Sequence, residues 1–193
     1  MSSKYEVNQE IKAGVMASMP IIGEINDVKL RDKVLDAWAL TLEENEFKRM
    51  EEIPGLPVLG EYCNQPKHIT AVTKMVLGMV DCMNEALEEP LELDRDLLLA
   101  CAICHDLGNP YEYNIRKRKI WKEHPSKEGY PCLRHTFYGA HIALTVGLPE
   151  AVAHACACHS PEGQFVERSL GTTILYHVDD AFWKILRSAY EIS

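Results

Sequence analysis

Histidine and aspartate recur in this chain inside text that otherwise reads as packed interior. In "LLLACAICHDLGNP" (97–110), eight apolar or small residues run straight into His105–Asp106 before Gly108, Asn109 and Pro110 break the pattern. Imidazole and carboxylate lose hydration when buried, so in such a place they need hydrogen bonds or a metal ion. Further candidates stand in apolar segments: His68, His135, His141, His154, His159, His177 and the pair Asp179–Asp180, while His124 lies in polar text. Any one of them alone reads as a satisfied core histidine. Eight histidines in 193 residues, at the starts and ends of different segments, read together as ligands for a divalent transition metal. Packed helices can aim such groups at one point.

The elements that must position them are helical. Residues 29–50 place Leu30, Val34, Trp38, Leu42 and Phe47 at mixed three- and four-residue steps, the spacing of an amphipathic helix. Residues 51–66, with three prolines and two glycines, form an irregular connection. Residues 67–87 carry Ile69, Val72, Met75, Val76, Met79, Val80 and Met83 on one broad core face, with His68 in the first turn after Pro66. Asp94 caps a helix over 95–107, and Gly108 with Pro110 ends it. The stretch 109–133, rich in Tyr, Pro, Gly and charge, reads as a loop or lid with a short helix at 114–123. Helices resume at 134–146, 149–159 and 167–190. No strand-period run competes, so the class is all-α: one helical-bundle domain over 1–193, with N-terminal helices (1–52) packing on a core at 60–185.

A length of 193 residues with 47% hydrophobic content suits one domain with a sizeable core. The net charge of −9 argues against general nucleic-acid or anionic-membrane binding, which rests on clustered Lys and Arg. The basic run 115–124 is the local exception and reads as a solvated face or as charge beside a pocket. Seven cysteines, several in helical text, suggest reduced thiols, and no signal pattern or membrane-length apolar stretch is present, so a cytoplasmic protein is expected. The Cys101/Cys104 and Cys156/Cys158 pairs suit a structural zinc less well than small core filler, because they sit in apolar helices rather than on turns. The expected partner is a small molecule, with a homo-oligomer possible.

The ordered residues His68, His105–Asp106 and Asp179 resemble the H…HD…D signature of the HD-domain superfamily of metal-dependent hydrolases. "KHITAV" is similar to its first-His helix start, "ACAICHDLG" to its HD motif, and "ILYHVDD" to its last-Asp helix, with Asp180 the fallback for Asp179. Members with two metals use two more histidines. "RHTFYGAHIA" and "ACHSPEG" resemble those segments and select His135 over His141 and His159 over His154. The resemblance implies one ion on His68, His105 and Asp179, a second on His135 and His159, and Asp106 bridging them through its two oxygens. Manganese, iron and zinc all suit these donors. Between two cations a water ionises near neutral pH, which supplies a nucleophile without serine or cysteine.

Many members continue the motif as Asp-Ile-Gly-Lys, whose lysine contacts substrate; this chain has Asp106-Leu107-Gly108-Asn109. Lys67, Arg134 and the run Arg116 to Lys119 are possible replacement cations, while Tyr111, Tyr113 and Tyr138 suit a pocket for a neutral or carbonyl-bearing ring. Asn109 is expected to donate a neutral hydrogen bond. Asp106 acts at the reacting centre, Glu162 and His141 are the acid–base candidates, and His154 and His177 pack around the ligands or in the core. The implied function is hydrolysis of a small molecule, at a phosphoester by family precedent or at a carbonyl carbon as the variant. Two alternatives stand beside it: a mixed-valent diiron oxygenase, and a regulatory protein with a structural metal.

Overall fold

The computed structural model describes residues 5–191. The fold is all-α: an isolated bridge between Pro54 and Asn64 is the sole extended pairing among the described residues. Helices α1 (Gln9–Ser18) and α2 (Val28–Glu44) open the chain. Asn8 and Asp27 cap them by accepting from backbone N–H groups of the first turn. Helix α2 stops earlier than its apolar spacing predicts, at Glu44, because Glu46 takes a left-handed backbone with φ 64°. Two short 3-10 turns, Met50–Glu52 and Pro57–Leu59, then lead to α3 (Gln65–Ala86), whose cap is Asn64.

Helix α4 (Arg95–Cys104) is the centre of the bundle. Every residue from Leu98 to Cys104 is buried, and α2, α3, α9 (Glu150–Cys158) and α10 (Leu170–Ala189) pack around it. A helix apolar on all sides has to be surrounded in this way. It ends at Cys104 rather than 107, so His105 and Asp106 lie in the turn that follows. Two side chains of α2 grip that turn: Trp38 Nε1 donates to the Ile103 carbonyl at 3.2 Å, and Thr41 Oγ1 to that of Leu107 at 2.8 Å.

The stretch 109–133 holds the expected short helix as α6 (Ile115–Glu123), and differs from the loop expected around it by two further short helices, α5 (Asn109–Glu112) and α7 (Pro125–Glu128). Pro110 and Pro125 sit in first turns, where a missing N–H costs nothing, and Asn114 caps α6, so residues that read as breakers act as helix starts. Helix α8 (His135–Thr145) pairs with α9 across a short turn at Gly147, φ 72°. On α3 the buried stripe is Ile69, Val72, Val76 and Val80, whereas Met75, Met79 and Met83 are exposed rather than core. The apolar face is narrower than the sequence suggests, because one surface of α3 meets the bundle and its flank meets solvent.

Candidate metal centre

The candidate ligands come from five places in the fold, four of them helix starts, helix ends or turns. His68 sits in the first turn of α3, His105 and Asp106 in the turn after α4, His135 first in α8, His159 directly after α9, and Asp179 in mid α10. All four imidazoles are buried, with His68 and His105 at 0% exposure. Two glycines permit this convergence. A Cβ on Gly108 would lie 1.9 Å from the His135 carbonyl oxygen, and one on Gly163 2.5 Å from that of Cys158, so the chain approaches backbone to backbone beside His135 and beside His159.

Asp106 divides the cluster in two. Its Oδ2 lies 3.3 Å from His68 Nε2 and 3.4 Å from His105 Nε2. Its Oδ1 lies 3.5 Å from His159 Nε2 and 3.7 Å from His135 Nε2. Asp179 Oδ1 joins the first group, 3.2 Å from His68 Nε2, and is buried without a hydrogen-bond partner. His68, His105 and Asp179 form one group able to hold a cation, and His105, Asp106 and His159 another.

The rings are held from behind. His105 Nδ1 donates to the Ala102 carbonyl at 2.7 Å, and His159 Nδ1 to that of Cys156 at 2.9 Å. His135 Nδ1 donates to Glu112 Oε2 at 2.9 Å. The proton on Nδ1 leaves the lone pair of Nε2 facing the cluster. Yet the Nε2 atoms of His68 and His105 are 3.3 Å apart, as are those of His135 and His159. At His135 and His159, where both Nδ1 atoms donate elsewhere, the facing lone pairs repel unless a cation lies among them, and the orphaned Asp179 oxygen beside the other pair makes the same demand. The donor set, imidazole nitrogen plus carboxylate oxygen, fits divalent transition metals.

The electrostatics agree with so tight a cluster. Burial opposes charge on Asp106, but His105, His159 and His68 hold its carboxyl well below the ordinary carboxylate range. Burial likewise opposes protonation of His105, yet the Asp106 and Asp179 carboxylates push it up to about 9. At His159 burial prevails and its pKa falls. Trp183 stacks on His68 with centroids 4.5 Å apart, closing one side of the cluster.

Asp106, His135, His159 and Asp179 line a cavity of about 440 Å³ together with Asn109, Tyr113, Arg118, Arg134 and the aromatic rings of Trp121, Tyr130, Tyr176 and Trp183. Several residues nominated from the sequence lie elsewhere. Lys67 is exposed in a separate groove with Ser18 and Glu51, because it points off the opposite side of the turn that buries His68. Tyr138 turns away from the cavity to donate to Glu44 and stack on Tyr111. His141 and His177 are exposed rather than packed around the ligands, and His154 accepts from the Ser169 backbone. Glu162 does not line the cavity: it binds Arg134 at 2.6 Å and the Ser160 hydroxyl. Arg134 also pairs with Glu112. Arg118 has no carboxylate within ion-pair distance among the described residues. No cysteine belongs to either cation-binding group. Asp180 pairs with Lys184 at 2.8 Å, which leaves Asp179 as the residue in the cluster.

Two contributors escape sequence reasoning. Glu112 accepts from both the backbone N–H and Nδ1 of His135, at 2.6 and 2.9 Å. Gln65 Nε2 donates to Asp106 Oδ2 at 2.8 Å, and Asn109 Nδ2 donates to Gln65 Oε1 at 3.0 Å. Gln65 precedes His68 by three residues and so shares its helix face, which is the signal that finds it.

The chain matches the family model for the HD domain over residues 67–180, more than half its length, and belongs to that family. HD-domain proteins are generally metal-dependent hydrolases and bind divalent metals. The matched stretch begins one residue before His68 and ends one residue after Asp179. No curated protein and no solved structure matched the chain significantly. No helix among the described residues is long and apolar enough to cross a membrane.

Proposed function

We propose that this protein is a hydrolase that holds two divalent ions and cleaves a planar small molecule at an uncharged carbonyl-type carbon. The observation that carries the reading is the division of Asp106, one oxygen toward His68 and His105 and the other toward His135 and His159. His68, His105 and Asp179 would hold the first ion, His135 and His159 the second, with Asp106 shared. When bound, such a pair supplies an ionised water as nucleophile and positive charge for a developing oxyanion. The chain does the rest. Glu112 fixes the His135 tautomer, and the carbonyls behind His105 and His159 fix theirs, so each Nε2 stays aimed inward. The aromatic walls exclude water and seat a flat ring. Glu162, tied to Arg134 and Ser160, stays a carboxylate and has no proton to give near neutral pH.

The choice of carbonyl carbon rests on charge. Beyond the charge the two ions would supply, a phosphate substrate calls for a side-chain cation, because charge-assisted contacts are roughly twice as strong as neutral ones. Asn109 replaces the family's lysine, Lys67 lies outside the cavity, and Arg134 is already paired with Glu112 and Glu162. Arg118, unpaired in the cavity wall, favours phosphoester hydrolysis as the second reading.

Two measurements test this. Elemental analysis of protein loaded with manganese, zinc or iron should give two ions per chain, falling to one in His135→Ala and in His159→Ala; one ion in the wild type, unmoved by both changes, overturns the assignment. Anaerobic assay against uncharged cyclic carbonyl compounds and phosphate esters should favour the former. Efficient phosphate-ester turnover that collapses in Arg118→Ala establishes the second reading. Turnover confined to iron plus dioxygen marks an oxygenase, and full metal content with no turnover marks a regulatory protein.

A further inference from the structure

An ionised carboxylate can only accept hydrogen bonds, and that fixes the polarity of everything attached to Asp106. Gln65 must turn its Nε2 amide group to Asp106 Oδ2, at 2.8 Å, which points Gln65 Oε1 the other way. Oε1 in turn requires a donor, so Asn109 faces it with Nδ2, at 3.0 Å. Flipping either amide would set two acceptors against each other. In this arrangement the carbonyl oxygen of Asn109, Oδ1, is the one polar heavy atom of the two amides without a partner. Oδ1 is buried and has no partner, although Asn109 lines the cavity and is only 1% exposed. A buried acceptor without a donor costs free energy, so the site is incomplete as it stands. The sequence suggests an asparagine donating to substrate; the chain of amides commits one Nδ2 hydrogen to Gln65 and leaves Oδ1 as an acceptor without a partner.

We propose that Asn109 Oδ1 is a specificity-determining acceptor that takes a hydrogen bond from a neutral N–H group of the bound small molecule. The aromatic walls select a flat molecule, and a carbonyl centre with an N–H beside it is an amide or lactam. This rests on the cavity being the substrate site. The residue that follows Asp106-Leu107-Gly108 then reads an uncharged donor and disfavours an anion, since a carbonyl oxygen repels phosphate oxygens.

The test compares matched probes on the full-length, zinc-loaded protein, with binding read from the emission of Trp121 and Trp183 in the cavity wall. Benzamide carries the N–H; methyl benzoate keeps ring and carbonyl but lacks it; phenyl phosphate carries the anion. Benzamide should bind about tenfold more tightly than methyl benzoate, the ratio expected of one well-placed hydrogen bond. Asn109→Leu should bring the two within about twofold, and Asn109→Lys should shift preference toward phenyl phosphate. Equal affinity of the wild type for benzamide and methyl benzoate, or no benzamide binding, overturns the proposal even if no variant folds. So does a tenfold preference that persists in Asn109→Leu. Preference intact without any turnover sinks the hydrolase reading alone.

Discussion

A carboxylate with two occupied faces sits at the centre of this protein, and around it each polar side chain is oriented by the next. Arg134 shows the pattern at one remove. It bridges Glu112, which holds His135, and Glu162, which holds the loop after His159 through Ser160. Burial opposes the charge on Glu162, but the Ser160 hydroxyl and Arg134 guanidinium bring its carboxyl down to about 2. An unfolded glutamate titrates near 4.3. The folded value is the lower one, so the stabilisation is complete above about pH 5 and fades as pH falls from there toward 2. Arg134 is partly solvated, which limits the contribution to about 1 kcal/mol. Urea melts of wild type and Glu162→Gln should therefore differ by about that much at pH 7 and converge near pH 2; a gap independent of pH shows that Glu162 acts through packing alone. The histidines and aspartates of the cluster were legible in the sequence because their types are rare in apolar text. Gln65 and Glu112 were not, since glutamine and glutamate are ordinary surface residues until a neighbouring element buries them.

At the level of elements, the centre depends on helix ends more than on helix faces. The turn after α4 carries His105 and Asp106, and α8 begins on His135 with its backbone against Gly108. That contact leaves no room for a side chain: Gly108→Ala would put a methyl group 1.9 Å from the His135 carbonyl oxygen, so α8 must move. The variant should lose about 3 kcal/mol of stability and its ion at His135 and His159, read by thermal melting and elemental analysis. Full metal content with an unchanged melting temperature would show that α8 yields freely. Helix positions were readable from spacing and caps, within a few residues. In the 109–133 segment α6 was readable but α5 and α7 were not, because proline marks loops and helix starts alike, and only packing decides between them.

Across the whole molecule, the bundle closes around charges that repel or lack partners without cations. Ions that bind the folded chain and not the unfolded one stabilise it by mass action, about 2.7 kcal/mol for one site at a hundredfold excess over Kd. For a domain of this size that is about 5–10 °C in melting temperature. Chelator treatment should lower it by that amount and divalent ions should restore it; a melting temperature blind to both would mean that the cluster holds no ion. The order of the ligands along the chain has a consequence for shortened chains. His135, His159 and Asp106 all precede residue 160, whereas the set containing His68 and His105 waits for Asp179 on α10. A chain that ends before α10 therefore holds the residues of the second group but lacks the one carboxylate that only the first group uses.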